Sequence, residues 1–282
     1  MIQRRYVSGR YGQVHLRESG AGSGTVPLVC LHATAYSSRS FEALIRAMGP
    51  YRHLIAVDLP GYGESDPPSE VLDIAGYAEA VSEAIVAIAG AGPVALLGYH
   101  TGVVIAAEIA LQNTVTVEQI TFLGVPFFEV LDFEMWKAKL ANRHQLGDGL
   151  VQFAERWDFL VTNRPAGLSL RRGFENFVDE LKAWPDGSDA HHALFAYDLR
   201  ARFPLIECPV TILNPEGHLE EPSRAAAELI ADAQVIELPG LQGAVLDTAP
   251  DRIAALIPNV AGSDLARNIA GRLSGDLSTL AD

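Results

Sequence analysis

The residue of this sequence best placed to do chemistry is His100. It stands in Gly98-Tyr99-His100-Thr101-Gly102, after the apolar run Val94 to Leu97 and at the head of the helical pattern Thr101 to Leu111. A strand that turns at once into a helix crowds its own backbone, so small residues must flank the turn, and Gly98 and Gly102 supply them. The apex side chain then projects into whatever space lies above the strand. A neutral imidazole there serves as a general base, as a hydrogen-bond partner for a substrate oxygen, or as a nucleophile that forms a labile acyl-imidazole. The start of a helix disfavours positive charge, and burial pushes the same way, so a neutral ring at pH 7 is predicted.

Two further segments offer polar groups after apolar runs. His32, Ala33 and Thr34 follow Val26 to Leu31, and His218 lies in Asn214-Pro215-Glu216-Gly217-His218-Leu219-Glu220-Glu221-Pro222 after Val210 to Leu213. One of those glutamates could pair with His218 as orienter to base. His100 and His218 could together ligate a metal, but no convincing third ligand is spaced for it, so no metal is expected. Thr34, Ser37 and Thr101 carry hydroxyls that could stand in for a nucleophile. His191 and His192 read as a solvated or packed helix end, and His15, His53 and His144 as surface or loop residues. Phe127, Phe128, Trp136 and Trp157 read mainly as core, with one or two lining an apolar pocket.

Three blocks in order resemble the α/β-hydrolase family. Leu31-His32-Ala33-Thr34 is similar to its His-Gly-x turn, with Ala33 in place of the usual glycine. Asp58-Leu59-Pro60-Gly61-Tyr62-Gly63-Glu64-Ser65 matches its Asp-x-Pro-Gly-x-Gly-x-Ser loop, which reads as structural. Gly98 to Gly102 resembles its nucleophile elbow, Gly-x-Ser-x-Gly, with histidine at the apex. The resemblance implies that the Thr34 and Thr101 N–H groups are oxyanion donors and that His32 and Ala33 belong to the oxyanion turn. It also implies that His218 faces His100, since the family's acid position falls on His218 and its histidine position on Gly243. All three triad positions thus differ, and the serine route through an acyl-enzyme is closed.

The elements that must position these residues are legible as alternating apolar runs and helical patterns. Leu54 to Val57, Gln119 to Leu123 and Val235 to Leu238 are further strands. Ile74 to Ile88 is an amphipathic helix with Glu79 and Glu83 on its polar face, and Phe41 to Met48 is a short helix capped by Ser37, Ser38 or Ser40. Tyr11 to Arg17 reads as an antiparallel edge strand. The pattern implies a mostly parallel sheet with helices on both faces, and the resemblance makes it an eight-stranded α/β-hydrolase fold. Residues 1–125 and 204–260 form its core, 126–203 a helical cap, and 261–282 a C-terminal helical extension. In that extension Leu265, Ile269, Leu273, Leu277 and Leu280 pack on their own domain or on a second copy of the chain.

Composition narrows the partners. A formal net charge of −14, with lysine only at 137, 139 and 182, argues against nucleic acid. No run approaches the roughly 20 apolar residues that span a bilayer. Met1 to Tyr6 lacks the apolar stretch of a signal peptide, and Cys30 and Cys208 read as buried free thiols, so the cytoplasm is expected. The expected function is an enzyme without cofactor acting on a small carbonyl- or ester-containing molecule, by hydrolysis or by lyase or isomerase chemistry, with His100 as base or nucleophile. The alternative is a non-catalytic binder that keeps the pocket.

Overall fold

Alternation along the apolar runs builds the centre of the molecule. All four residues of Leu28–Leu31 are buried, but Val29 and Leu31 enter one hydrophobic cluster while Leu28 and Cys30 enter another. Leu54–Val57 repeats this, with Ile55 and Val57 in the first cluster and Leu54 and Ala56 in the second. Strands buried on both faces must be covered on both faces. The computed structural model, which describes residues 1–128, 130–141, 149–185 and 189–257, has that arrangement.

Eight strands form one sheet: β1 (Gln3–Gly9), β2 (Gly12–Ser19), β3 (Leu28–Leu31), β4 (Leu54–Val57), β5 (Val94–Tyr99), β6 (Val117–Leu123), β7 (Val210–Glu216) and β8 (Gln234–Gln242), in the order β1-β2-β4-β3-β5-β6-β7-β8. The β1–β2 and β2–β4 pairings are antiparallel, and the rest are parallel. Helices α1 (Glu42–Met48), α2 (Ile74–Ala89) and α3 (Thr101–Gln112) alternate with the strands. Between β6 and β7 lie α4 (Val130–Ala141), α5 (Val151–Trp157), α6 (Leu170–Ala183), α7 (Asp189–Ala196) and α8 (Leu199–Arg202), with no strand among the described residues. After β7 come α9 (Glu220–Ala227), α10 (Val245–Thr248) and α11 (Pro250–Leu256). The first cluster takes α2 and α3, and the second takes α1 and α11.

The order β4-β3-β5 contains the reversal of strand order. The chain moves from β3 to β4 on one side and then returns to β5 on the other. The loops leaving β3 and β5 therefore separate at their carboxyl ends and open a crevice, the usual ligand position in such sheets. Thr34 lies in the first loop and His100 in the second.

Five expectations need correction. The strand read from Tyr11 to Arg17 is not at the edge, because β1 pairs outside it. β1 carries no apolar alternation and is largely exposed, so it gave no strand signal. His15 is not a surface residue: it is fully buried, with Nδ1 2.7 Å from Asp58 Oδ2. His53 is mostly covered and its Nε2 lies 3.0 Å from Glu18 Oε2. Of the aromatics read as core, Phe127 is buried but Trp157 is 40% exposed. Cys30 is buried as expected, whereas Cys208 is only partly so, and both thiols are free. His144 and residues 261–282 lie outside the described residues.

Candidate active site

The elbow forms because β5 and α3 meet with almost no space between them. A Cβ on Gly98 would stand 2.5 Å from the Gly102 carbonyl oxygen, and one on Gly102 would run into the carbonyl of Leu31 on β3. His100, between them, takes φ 49° and ψ −111° at the N-cap of α3. A side chain-bearing residue at such a φ is strained, and strain of this kind persists where the surroundings over-determine it. Here the surroundings are the backbone bonds His100 N–H to Leu123 O and Val103 N–H to His100 O, at 3.1 and 2.8 Å.

The His100 ring is directed across the end of β6. Gly124, at φ 68°, leaves the room: a Cβ there would lie 3.1 Å from Cδ2 and 3.2 Å from Nε2 of His100. The rings of Tyr99 and His218 are its neighbours, with centroids at 4.4 and 6.1 Å. Burial, and then the proximity of His218, hold its pKa down to about 3, so the ring is neutral throughout the physiological range. Among the described residues its ring nitrogens have no hydrogen-bond partner.

His218 is exposed as a residue, but its ring lies 5.1 Å from that of Trp136. Lys139 sits over the Trp136 ring at 4.4 Å. Desolvation, and then the Lys139 charge, lower the His218 pKa. The carboxylates that could have paired with His218 are engaged elsewhere. Glu216 accepts the Gly240 N–H at 2.8 Å, and Glu220 and Glu221 both bind Arg224. Among the described residues, no three His, Cys, Asp or Glu side chains gather as a metal cluster.

The remaining candidates divide between the cavity and its supports. Thr34 donates its hydroxyl to Thr101 Oγ1 at 2.9 Å, joining the two loops at the strand-order reversal. Ser37 donates to Asp179 Oδ2 at 2.6 Å. His32 is fully buried, with Nδ1 2.9 Å from the Ala33 carbonyl and Nε2 accepting the Leu59 N–H at 3.0 Å. Burial keeps it neutral, and it lines neither cavity at the elbow. Asp58 is likewise remote from the cavity. Burial alone would raise its pKa, but the His15 hydrogen bond, the nearby His32, and the Ser38 and Glu64 N–H groups outweigh that and lower it.

Two spaces meet at His100. One, of about 670 Å³, is lined by Ala33, Thr34, Thr101, Phe128, Trp136 and His191 among others. The other, of about 580 Å³, reaches Asn163, Pro165, Arg172, Gly243 and Asp247. Tyr36, Tyr99, His100, Phe159, His218 and Leu219 border both. Gly243 therefore shares a cavity with His100 and His218, but at φ 67° it has Pro165 in front of it: a Cβ would lie 3.0 Å from Pro165 Cβ and Cγ. Residues missed from the sequence include Gly124, Tyr36, Phe159 and Asn163. A glycine immediately after a strand was the available signal for the first. Phe159 is delivered by the π-helical turn Asp158–Thr162 that continues α5, which no residue pattern announced.

Residues 28–256 match the sequence model of the alpha/beta hydrolase family. The chain belongs to that family. Among curated proteins it is similar to the pimeloyl-[acyl-carrier protein] methyl ester esterase of Yersinia pseudotuberculosis, 32% identical over 148 residues, which is 50% of this chain and 54% of that protein. The same enzyme of Pectobacterium atrosepticum is 31% identical over 114 residues, 39% of this chain and 42% of that protein. The chain thus spans about half the length of the curated relatives it matches. Among solved structures, a thermophilic esterase from Thermogutta terrifontis superposes with a TM-score of 0.73 at 18% identity, covering 95% of this chain and 99% of that one. A bromoperoxidase from Bacillus anthracis gives 0.73 at 19% identity, covering 89% and 97%. These structural likenesses carry the alpha/beta hydrolase fold alone. No helix among the described residues is long and apolar enough to cross a membrane.

Proposed function

We propose that this alpha/beta hydrolase is an enzyme acting on a small, partly apolar molecule with a carbonyl or ester group, and that the His100 imidazole does the chemistry. The supporting observation is an uncharged ring, held at a strained elbow, that borders both cavities. The space beside it combines apolar and aromatic walls with a few polar groups, the usual make-up of a small-molecule site. In this reading residues 126–203 are the cap that closes it.

Thr101 opens α3, so its N–H has no acceptor within the helix. Together with the Thr34 N–H it supports the negative charge that develops on a reacting carbonyl oxygen. That charge also acts on His100. A negative neighbour favours the imidazolium form, so the ring gains basicity as the transition state forms. Two reaction types use this arrangement. The ring takes a proton from carbon or from water, or its nitrogen adds to an ester carbonyl, expels the alcohol, and yields an acyl-imidazole that water hydrolyses. The ester-hydrolysing names of the curated relatives favour an ester substrate.

A second reading is a binder without turnover. It is favoured by the lack, among the described residues, of any group hydrogen-bonded to the His100 ring that would orient it. The two separate on one variant assayed against p-nitrophenyl esters of increasing chain length. In an enzyme, His100→Ala abolishes turnover while the unfolding curve is unchanged. In a binder, wild type shows no turnover above background and the substitution alters affinity only.

A further inference from the structure

Beside the elbow cavity lies a cleft of about 530 Å³ between α1 and the start of α6. Its lining includes Arg4, Arg39, Arg46, Arg171 and Arg172, five of the 21 Lys and Arg residues in a chain of net charge −14. Three carboxylates, Glu42, Glu175 and Asp247, share the cleft and pair with Arg46, Arg171 and Arg172, so its lining keeps an excess of two positive charges. Like charges gathered on an acidic protein repel one another, and that cost is offset when an anion joins them.

Two features make the gathering more than a solvated face. Arg171 and Arg172 sit in the first turn of α6, which holds no acidic residue, although a helix start favours negative charge. Ser169 Oγ caps the Arg172 N–H at 3.1 Å, leaving the Leu170 and Arg171 N–H groups without an intrahelical acceptor. In addition, Arg39 Nε and Arg172 Nη1 are buried without a hydrogen-bond partner. The carboxylates facing these two atoms, Asp179 and Glu175, form ion pairs with them at 3.6 and 3.8 Å, too far for a hydrogen bond, although Arg172 Nε does bond Asp247 at 3.0 Å. Leaving a charged donor atom buried without a hydrogen bond is costly, and a planar or tetrahedral oxyanion would satisfy both guanidinium nitrogens.

We propose that this cleft is a second binding site, for a carboxylate or phosphate group. It shares Leu168, Arg172 and Asp247 with the elbow cavity, so the Arg172–Asp247 ion pair, with contacts of 3.0 and 3.2 Å, is the wall between them. The anion is either free or the charged end of a longer molecule whose apolar body crosses that wall.

Inorganic phosphate, acetate and octanoate titrated into the whole protein by calorimetry test this. Arg46→Gln with Arg171→Gln is the variant to use, because both side chains are mostly exposed and each makes an i,i+4 surface ion pair, of small worth to stability. Phosphate is expected to bind wild type and to lose about tenfold or more in affinity in the double variant. Octanoate binding more tightly than acetate, and displaced by phosphate, assigns the site to the end of a longer molecule. Equal affinity of the two carboxylates assigns it to a free anion. No phosphate binding at about 10 mM, or binding that the double variant leaves unchanged, overturns the proposal whatever His100 does.

Discussion

The His100 ring lies against Gly124, with Cδ2 and Nε2 at 3.1 and 3.2 Å from where a Cβ on that glycine would stand. The two residues immediately follow adjacent parallel strands, β5 and β6. The ring's direction is thus set by what β6 lacks as much as by what β5 carries. Gly124→Ala introduces a methyl group into that space at a φ of 68°. Thermal unfolding is expected to show a loss of about 1–3 kcal/mol. Turnover per folded molecule should fall as well, because the ring must move. Unchanged stability and turnover would mean that the ring does not rest there.

The acid limb of the stability curve should carry the signature of His100. Its pKa is about 3 in the folded chain against an ordinary 6.5. Above pH 6.5 both states are neutral at this group and it contributes nothing. As the pH falls from 6.5 towards 3 the unfolded chain takes up a proton that the folded chain refuses, so stability declines across that window. His218, also lowered, acts in the same direction. Urea unfolding from about pH 6 to about pH 4 should therefore show a shallower decline for His100→Gln than for wild type. Parallel curves would contradict the assignment.

Asp58 is a hub for the loop after β4 rather than a catalytic acid. It gathers His15, the Ser38 N–H and the Glu64 N–H, with the Arg17 guanidinium 3.9 Å away. Asp58→Asn removes a buried charge that these groups were arranged to meet, and should cost about 3–5 kcal/mol in denaturant unfolding. The folded fraction should keep its turnover. A variant of normal stability with no activity would place Asp58 in the chemistry instead.

Grafting a serine triad onto this elbow should fail for a steric reason. His100→Ser, His218→Asp and Gly243→His supply the residue types, but position 243 faces Pro165 at a glycine-favoured φ. The triple variant is expected to show little esterase activity, and adding Pro165→Gly should raise it. Strong activity from the triple variant alone would show that the segment after β8 adjusts freely.

Much of this was legible because strong local demands leave strong patterns. The run Leu54 to Val57 is apolar at every position only because both sheet faces are covered, and its bounds are those of β4, while the other runs locate their strands but differ from them at the ends. Gly98 and Gly102 announced the elbow because nothing larger fits. Weak demands left weak traces. β1 is held by backbone pairing to β2, which any side chain permits, so Gln3–Gly9 carries no apolar period to read. His15 and His53 looked like surface residues because a histidine buried against a carboxylate has no sequence period. Glu216, Glu220 and Glu221 seemed available to His218 by proximity along the chain, yet Gly240 and Arg224, brought near by folding, had already claimed them. The arginine cleft was invisible for the same reason, since its members come from β1, the segment before α1, α1 itself and α6.

Base and nucleophile alike require the imidazole at position 100 to be uncharged, and ring-¹⁵N NMR of histidine-labelled protein reads that charge directly. With the His100 signals assigned by their loss in His100→Gln, a titration from about pH 8 to about pH 4 should leave them at neutral-imidazole shifts throughout, whereas an ordinary imidazole has its usual value of about 6.5. Midpoint protonation of His100 at that usual value would show a solvated ring, and the proposed active centre would be wrong.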